Sequence, residues 1–140
     1  MFRAICLFIK SRTGFGEPYI QEGHRVQSAP PRCALISEAG GGEVFPDLPD
    51  QANVMIQIIT RGNTYFQARD DAIVFYEALH GEAGWNVPAA PPASGPDYLA
   101  MTIDAVAYPQ YIGQDINGKF EFSTNFIFRM EEASCGVPAP

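Results

Sequence analysis

Charge is scarce in this chain of 140 residues, with only 18% of them Asp, Glu, Lys or Arg; soluble domains average about a quarter. A surface rich in Gly, Pro, Ser and Gln would produce that shortage. So would a surface covered by neighbouring subunits, because interface cores are depleted in charge. Cysteine is equally sparse: Cys6, Cys33 and Cys135 stand far apart without a CxxC. That spacing offers neither a zinc site nor a disulfide framework and suits reduced thiols in a cytosolic setting, two of them acting as small apolar fillers. The two histidines, His24 and His80, have no Asp, Glu or His at metal-ligand spacing. No GxSxG occurs, and Cys33 opens an apolar run rather than a reactive turn. No apolar stretch approaches the ~20 residues of a membrane helix. The short run Ala4–Ile9 is followed by Lys10 and Arg12 and has no small-residue cleavage site, so it fits neither an anchor nor a signal peptide. On this reading the chain is not an enzyme and holds no cofactor and no metal.

What the chain does have is apolar mass: 46% hydrophobic and 12% aromatic residues. That is enough for one core, so residues 1–140 read as a single domain. Net charge is −7, unevenly placed. Residues 1–37 carry five basic groups against Glu17 and Glu22, giving +3, and residues 38–140 carry four against fourteen acidic groups, giving −10. An acidic chain repels phosphate, which argues against a nucleic-acid grip. The asymmetry suits head-to-tail packing of identical subunits, or it is an accident of composition.

The cleanest periodicity lies in Lys119–Glu131. Phe120, Phe122, Phe126, Phe128 and Met130 share one parity, Lys119, Glu121, Ser123, Asn125, Arg129 and Glu131 take the other, and only Ile127 breaks the rule. Such alternation specifies a half-buried strand. Asn117-Gly118 just before it favours a hairpin turn, so Tyr108–Arg129 reads as a long ribbon. Elsewhere, residues 1–12 read as a short amphipathic N-terminal helix stopped near Gly14 or Gly16, with a strand as the competing reading. Arg32–Ser37 and Asn53–Thr60 read as strands. Tyr65–Leu79 reads as the one long helix, capped by Asn63-Thr64 and stopped by Gly81, with Phe66, Ile73 and Tyr76 on its apolar stripe and Ala72, Phe75 and Leu79 widening it. Glu82–Asp97 reads as a Pro-rich connecting loop, Tyr98–Tyr108 as a strand with Leu99, Met101, Ile103, Ala105 and Ala107 on one face and Thr102 and Asp104 on the other, and residues 133–140 as a flexible tail. The expected fold is α+β: a mainly antiparallel sheet of about four strands, one long helix and the short N-terminal helix on one face, and a long β-hairpin near the C-terminus, with residues 32–131 as the core.

Chemistry-bearing clusters each have a plainer reading. Gly40-Gly41-Gly42 lacks the helix that would make it a phosphate cradle. Asp70-Asp71 reads as solvated carboxylates on an exposed helix side. Tyr98, Tyr108 or His80 beside the Pro-rich loop would be the residues of a ligand-binding or enzymatic α+β domain, the reading that competes with a structural role.

Pro109-Gln-Tyr111-Ile-Gly113-Gln-Asp115, then Asn117-Gly118-Lys119 and Glu121-Phe122-Ser123-Thr124-Asn125, together resemble the tail terminator or minor capsid proteins of long-tailed bacteriophages with non-contractile tails. The apolar strand ending in Arg61-Gly62, the helix ending in Leu79-His80-Gly81 and the Gly-rich loop before Pro46 extend the likeness over roughly residues 30–131. Each piece is common; their order and spacing carry the resemblance. The family opens with a longer helix than this chain offers. The resemblance implies a virion protein of the tail or neck, assembled in the host cytoplasm. It implies a homo-hexameric ring that ends growth of the tail tube and presents a surface to the head–tail connector, with DNA passing through the lumen unbound and no membrane involved. A head–tail connector or completion protein of the neck is the alternative within the same class. Residues expected at subunit or partner contacts are Arg61, Tyr111, Asp115, Glu121, Asn125 and Arg129.

Overall fold

A computed structural model describes residues 1–25, 29–40, 51–89 and 97–132. Most of the Gly-rich and Pro-rich loops, Cys135 and the expected tail lie outside the described residues.

Helix α1 (Phe2–Thr13) carries Ala4, Ile5, Phe8 and Ile9 on one buried stripe. It ends where Gly14 turns left-handed at φ 76° and donates its N–H to the Lys10 carbonyl. Lys10 and Arg12 in its last turn complement the negative end of the helix dipole. Strand β1 (Ile20–Glu22) pairs in parallel with β2 (Cys33–Glu38). All later pairings are antiparallel: β2 with β3 (Gln51–Gly62), β3 with β7 (Phe120–Glu132), β7 with β5 (Tyr98–Ala105), and β5 with β4 (Glu82–Val87). Strand β6 (Gln110–Gln114) also pairs with β7, next to the stretch that β5 covers. Helix α2 (Tyr65–Leu79) begins at Thr64, whose side chain accepts the Gln67 N–H.

The expected fold needs correction. The sheet has seven strands instead of about four, two helices accompany it, and the molecule is mostly sheet. The strands absent from the sequence reading are short or exposed. β1 has three residues, and β4 is EAGWNV with only Val87 buried. β6, by contrast, is the first arm of the expected hairpin, five residues interrupted by a bulge between Tyr111 and Gly113. An edge strand with little burial on either face leaves no apolar alternation to read.

A second correction concerns which residues face inward. Strand β5 does not alternate cleanly, because a bulge between Ala100 and Thr102 shifts its register against β7, leaving Ala100 and Ile103 as its fully buried members. On α2, Ala72, Phe75 and Leu79 of the expected stripe are buried, together with Ala68 and Asp71, while Phe66 is 68% exposed. The helix start lies too close to the sheet for large side chains. A Cβ placed on Gly62 would sit 2.8 Å from the Ala68 nitrogen, so only Ala68 and Ala72 fit there, over Phe122. Farther along, Phe75 and Leu79 reach the main core.

That core lies between the sheet and the two helices. Ile5, Phe8 and Ile9 of α1 and Phe75 and Leu79 of α2 meet Ile36, Ile56, Ile58, Ile103, Phe126 and Phe128. Strand β7 behaves as its alternation predicts, with Phe122, Thr124, Phe126, Phe128 and Met130 buried and the intervening residues half-buried.

Candidate functional site: the hairpin end and the uncovered sheet face

Both helices pack on one face of the sheet. Paired residues of the other face are Leu35 with Ile59, Ser37 with Gln57, Gln57 with Asn125, and Met55 with Ile127, and all stay half-exposed. Among the described residues no helix covers this face. Its rows also carry Arg61 opposite Glu121, and Asn53 opposite Arg129, so sequence parity alone places the polar residues of β7 here.

The hairpin end is built around Asp115. Its Oδ1 accepts the backbone N–H of Asn117 at 2.9 Å and of Lys119 at 2.8 Å. The Asp115 N–H donates to the Lys119 carbonyl at 2.8 Å, and Gly118 takes φ 76°. The connection is therefore a three-residue loop with glycine in the left-handed position rather than a two-residue Asn-Gly turn. Asp115 Oδ2 lies 3.4 Å from Arg61 Nη1. Arg61 is 9% exposed and also donates from Nη2 to the Pro30 carbonyl at 2.8 Å and from Nε to the Pro31 carbonyl at 3.1 Å. Burial pushes the Asp115 carboxyl up, but the amides of Lys119 and Asn117 and the Arg61 guanidinium outweigh it and hold it below the usual carboxylate range.

The six residues expected at contacts thus fall into separate settings. Arg61 and Asp115 meet and fasten the hairpin end to the segment before β2. Glu121, in the same row, pairs with Arg25 at 3.2 Å. Asn125 is half-buried, and its Oδ1 is buried without a hydrogen-bond partner. Arg129 donates to Asp104 at 2.7 Å and to Thr102 at 3.2 Å. Tyr111, 42% exposed, joins an aromatic group with Tyr65, Phe120 and Phe122 at centroid distances of 5.3 to 6.4 Å. They do not form one cluster: Arg129 stands four rows from Asn125 and eight from Glu121, or roughly 13 and 26 Å along the strand.

Sequence reasoning missed Tyr65 and Phe66 as part of this end. They stand at the start of α2, 5.3 Å apart ring to ring and more than a third exposed. The signal was the aromatic pair itself, placed before the helix approaches the sheet. It also read Asp71 as solvated. Asp71 is 2% exposed, accepts Arg32 at 2.7 and 2.9 Å and accepts the Tyr19 hydroxyl at 2.8 Å. Burial first, and then hydrogen bonding to Asp71, raise the Tyr19 phenol well above its ordinary value.

The basic groups of residues 1–37 are engaged in ion pairs within the chain. Arg12 pairs with Glu82, Arg25 with Glu121 and Arg32 with Asp71, each joining the basic N-terminal part to the acidic remainder. Lys10 holds Glu17 and Glu22. Head-to-tail attraction between a positive and a negative half therefore has few free basic groups to act through, while the chain keeps its net charge of −7.

Of the residues of the competing ligand-site reading, Tyr108 and His80 both meet Tyr76, and Tyr98 stands apart from them. Tyr98 packs on the core, while Tyr108 meets Tyr76, on which His80 stacks at 4.9 Å. His80 Nδ1 accepts the Ala105 N–H at 2.9 Å. Cys6 and Cys33 are buried, and burial followed by the adjacent Glu22 carboxylate pushes the Cys6 thiol up to about 12, the opposite of a reactive thiolate. Among the described residues no group of three His, Cys, Asp or Glu could hold a metal, and no helix is long and apolar enough to cross a membrane.

No family model matches the chain, and a search of curated proteins finds no significant match.

Proposed function

We propose that this chain is a structural virion protein that forms a ring, of six copies by the resemblance, on the end of a phage tail tube. There it ends tube growth and offers a surface to the head–tail connector. The observation that carries the reading is the sheet face on which neither helix lies. It is wide, built from β2, β3, β5 and β7, and it mixes Leu35, Met55, Ile59 and Ile127 with Ser37, Gln57, Ser123 and Asn125. A half-exposed face of that composition is suited to contact with a neighbouring molecule. The order of elements around the hairpin supports the same reading, as does the involvement of the nucleophilic and titratable groups described above in internal bonds.

A neck connector or completion protein would share this architecture and differ only in what it binds. The test is light scattering and electron microscopy of the purified protein, alone and with tail tubes. A ring that caps tubes is the expected result. A chain that stays monomeric and leaves tubes uncapped overturns the reading, and a ring that binds connectors but no tube moves the protein to the alternative.

A further inference from the structure

We infer that Asn117 at the hairpin tip is a site of spontaneous deamidation, and that Asp115 sets its rate. Asparagine is a thermolabile residue. The reaction needs its side chain free to swing onto the backbone nitrogen of the next residue, and a next residue that leaves room there. Asn117 is the one asparagine of five that precedes glycine. It is exposed, and its side-chain amide joins none of the hydrogen bonds that form the turn. Gly118 has no side chain to crowd the attack, and a Cβ placed on it would meet nothing within 4 Å. The other four asparagines precede Val54, Thr64, Val87 and Phe126, whose branched or bulky side chains crowd their own nitrogens. Two of the four are also held: Asn63 accepts Lys119 at 2.6 Å, and Asn86 donates to Asp97 at 3.4 Å.

In the reaction, hydroxide or water takes the Gly118 amide proton, and the nitrogen forms a bond to Asn117 Cγ. The Cγ–Nδ2 bond breaks and ammonia leaves, which closes a succinimide ring. Water then opens that ring at either carbonyl, to aspartate or to isoaspartate. The folded turn restrains the first step. The Gly118 N–H donates to the Asp115 carbonyl at 3.0 Å, and Asp115 Oδ1 holds the amides of Asn117 and Lys119 on either side. The nitrogen is free to attack only when these bonds open together, a local event at the end of a ribbon. Reaction in turn removes the restraint. Isoaspartate inserts one more atom into the main chain between the two amides that share Oδ1, so that oxygen cannot hold both in their present places. Either product also sets a new carboxylate beside Asp115.

The experiment incubates the full chain in mildly alkaline buffer, folded and in urea. Peptide mapping by mass spectrometry follows each asparagine, and an isoaspartate-specific methyltransferase assay counts the product. The expected result is conversion at Asn117 ahead of the other four, slower in the folded chain than in urea. Asp115→Ala, its fold confirmed by circular dichroism, speeds conversion at least about fivefold, the weight of one such hydrogen bond. Asp115→Asn, which keeps an oxygen to accept the two amides, stays near the wild-type rate. A folded chain in which Asn117 stays intact while it converts in urea overturns the site, as does earlier conversion at another asparagine. An Asp115→Ala chain that converts at the wild-type rate overturns the part given to Asp115. The comparison of folded with urea-unfolded wild type needs no variant and decides the site by itself.

Discussion

Arg61 and Asp115, separated by 54 positions in the chain, meet at 3.4 Å and join the end of β3 to the turn that opens β7. Other Arg61 donors hold the Pro30 and Pro31 carbonyls, so one guanidinium ties two remote segments to β3. Such a residue is engaged before any partner arrives, and its loss acts first on the hairpin end.

The Asp115 carboxyl is lowered in the folded state, so its contribution to stability is present above the unfolded value, near 3.8, and is lost as pH falls through the folded value. The stability difference between wild type and Asp115→Asn is therefore expected to be constant near neutrality and to shrink on acidification below about pH 3.8. Urea denaturation of both proteins from pH 7 to pH 2 measures it. A difference that does not change with pH removes the carboxylate from the account.

Asp71 is buried while its partner Arg32 keeps 49% of its side chain exposed. Asp71→Ala strands the Tyr19 hydroxyl and one guanidinium and is expected to cost about 3 kcal/mol. Arg32→Ala leaves Tyr19 still donating to the carboxylate and costs less. Denaturant midpoints of the two variants give the order, and the reverse order shows that the arginine, not the aspartate, holds β2 to α2.

Phe122 is 3% exposed against Ala68 and Ala72, and Phe122→Ala is expected to cost about 3 kcal/mol or more. Its neighbour Glu121 points to the other face, and Glu121→Ala, which removes a partly screened pair with Arg25, is expected to cost about 1 kcal/mol or less. Equal losses in thermal unfolding show that the two faces of β7 are misassigned.

Gly62→Ala puts a methyl 2.8 Å from the Ala68 nitrogen and 3.1 Å from Gln67 Cβ. Backbone cannot yield as a flexible side chain does, so a cost of about 1–3 kcal/mol is expected in equilibrium unfolding. An unchanged midpoint means that α2 is free to move off the sheet.

With Cys135 replaced by serine, Cys6 and Cys33 remain, both buried, with the Cys6 thiol raised to about 12. Labelling by a thiol reagent at pH 8 is expected to proceed only at the rate of opening and to accelerate with urea. Rapid labelling of the folded protein contradicts the burial of Cys6 in α1 or of Cys33 in β2.

The amino-acid sequence by itself determined the strongly periodic elements. The Phe parity of β7 and the run in β3 specify strands, and the Thr64 cap with the glycine beyond His80 brackets α2, because pleat, helix repeat and cap act within a few residues. Tertiary structure alone decided the rest. It widened the sheet to seven strands by pairing the short strands β1 and β4, whose stability comes from ladder hydrogen bonds rather than their own apolar pattern, beside those already legible and the hairpin arm β6. It turned α2 by bringing its start within touch of Gly62 and buried Asp71 by supplying Arg32 and Tyr19 from distant segments. Those outcomes depend on which remote groups share a space, and local spacing does not encode that.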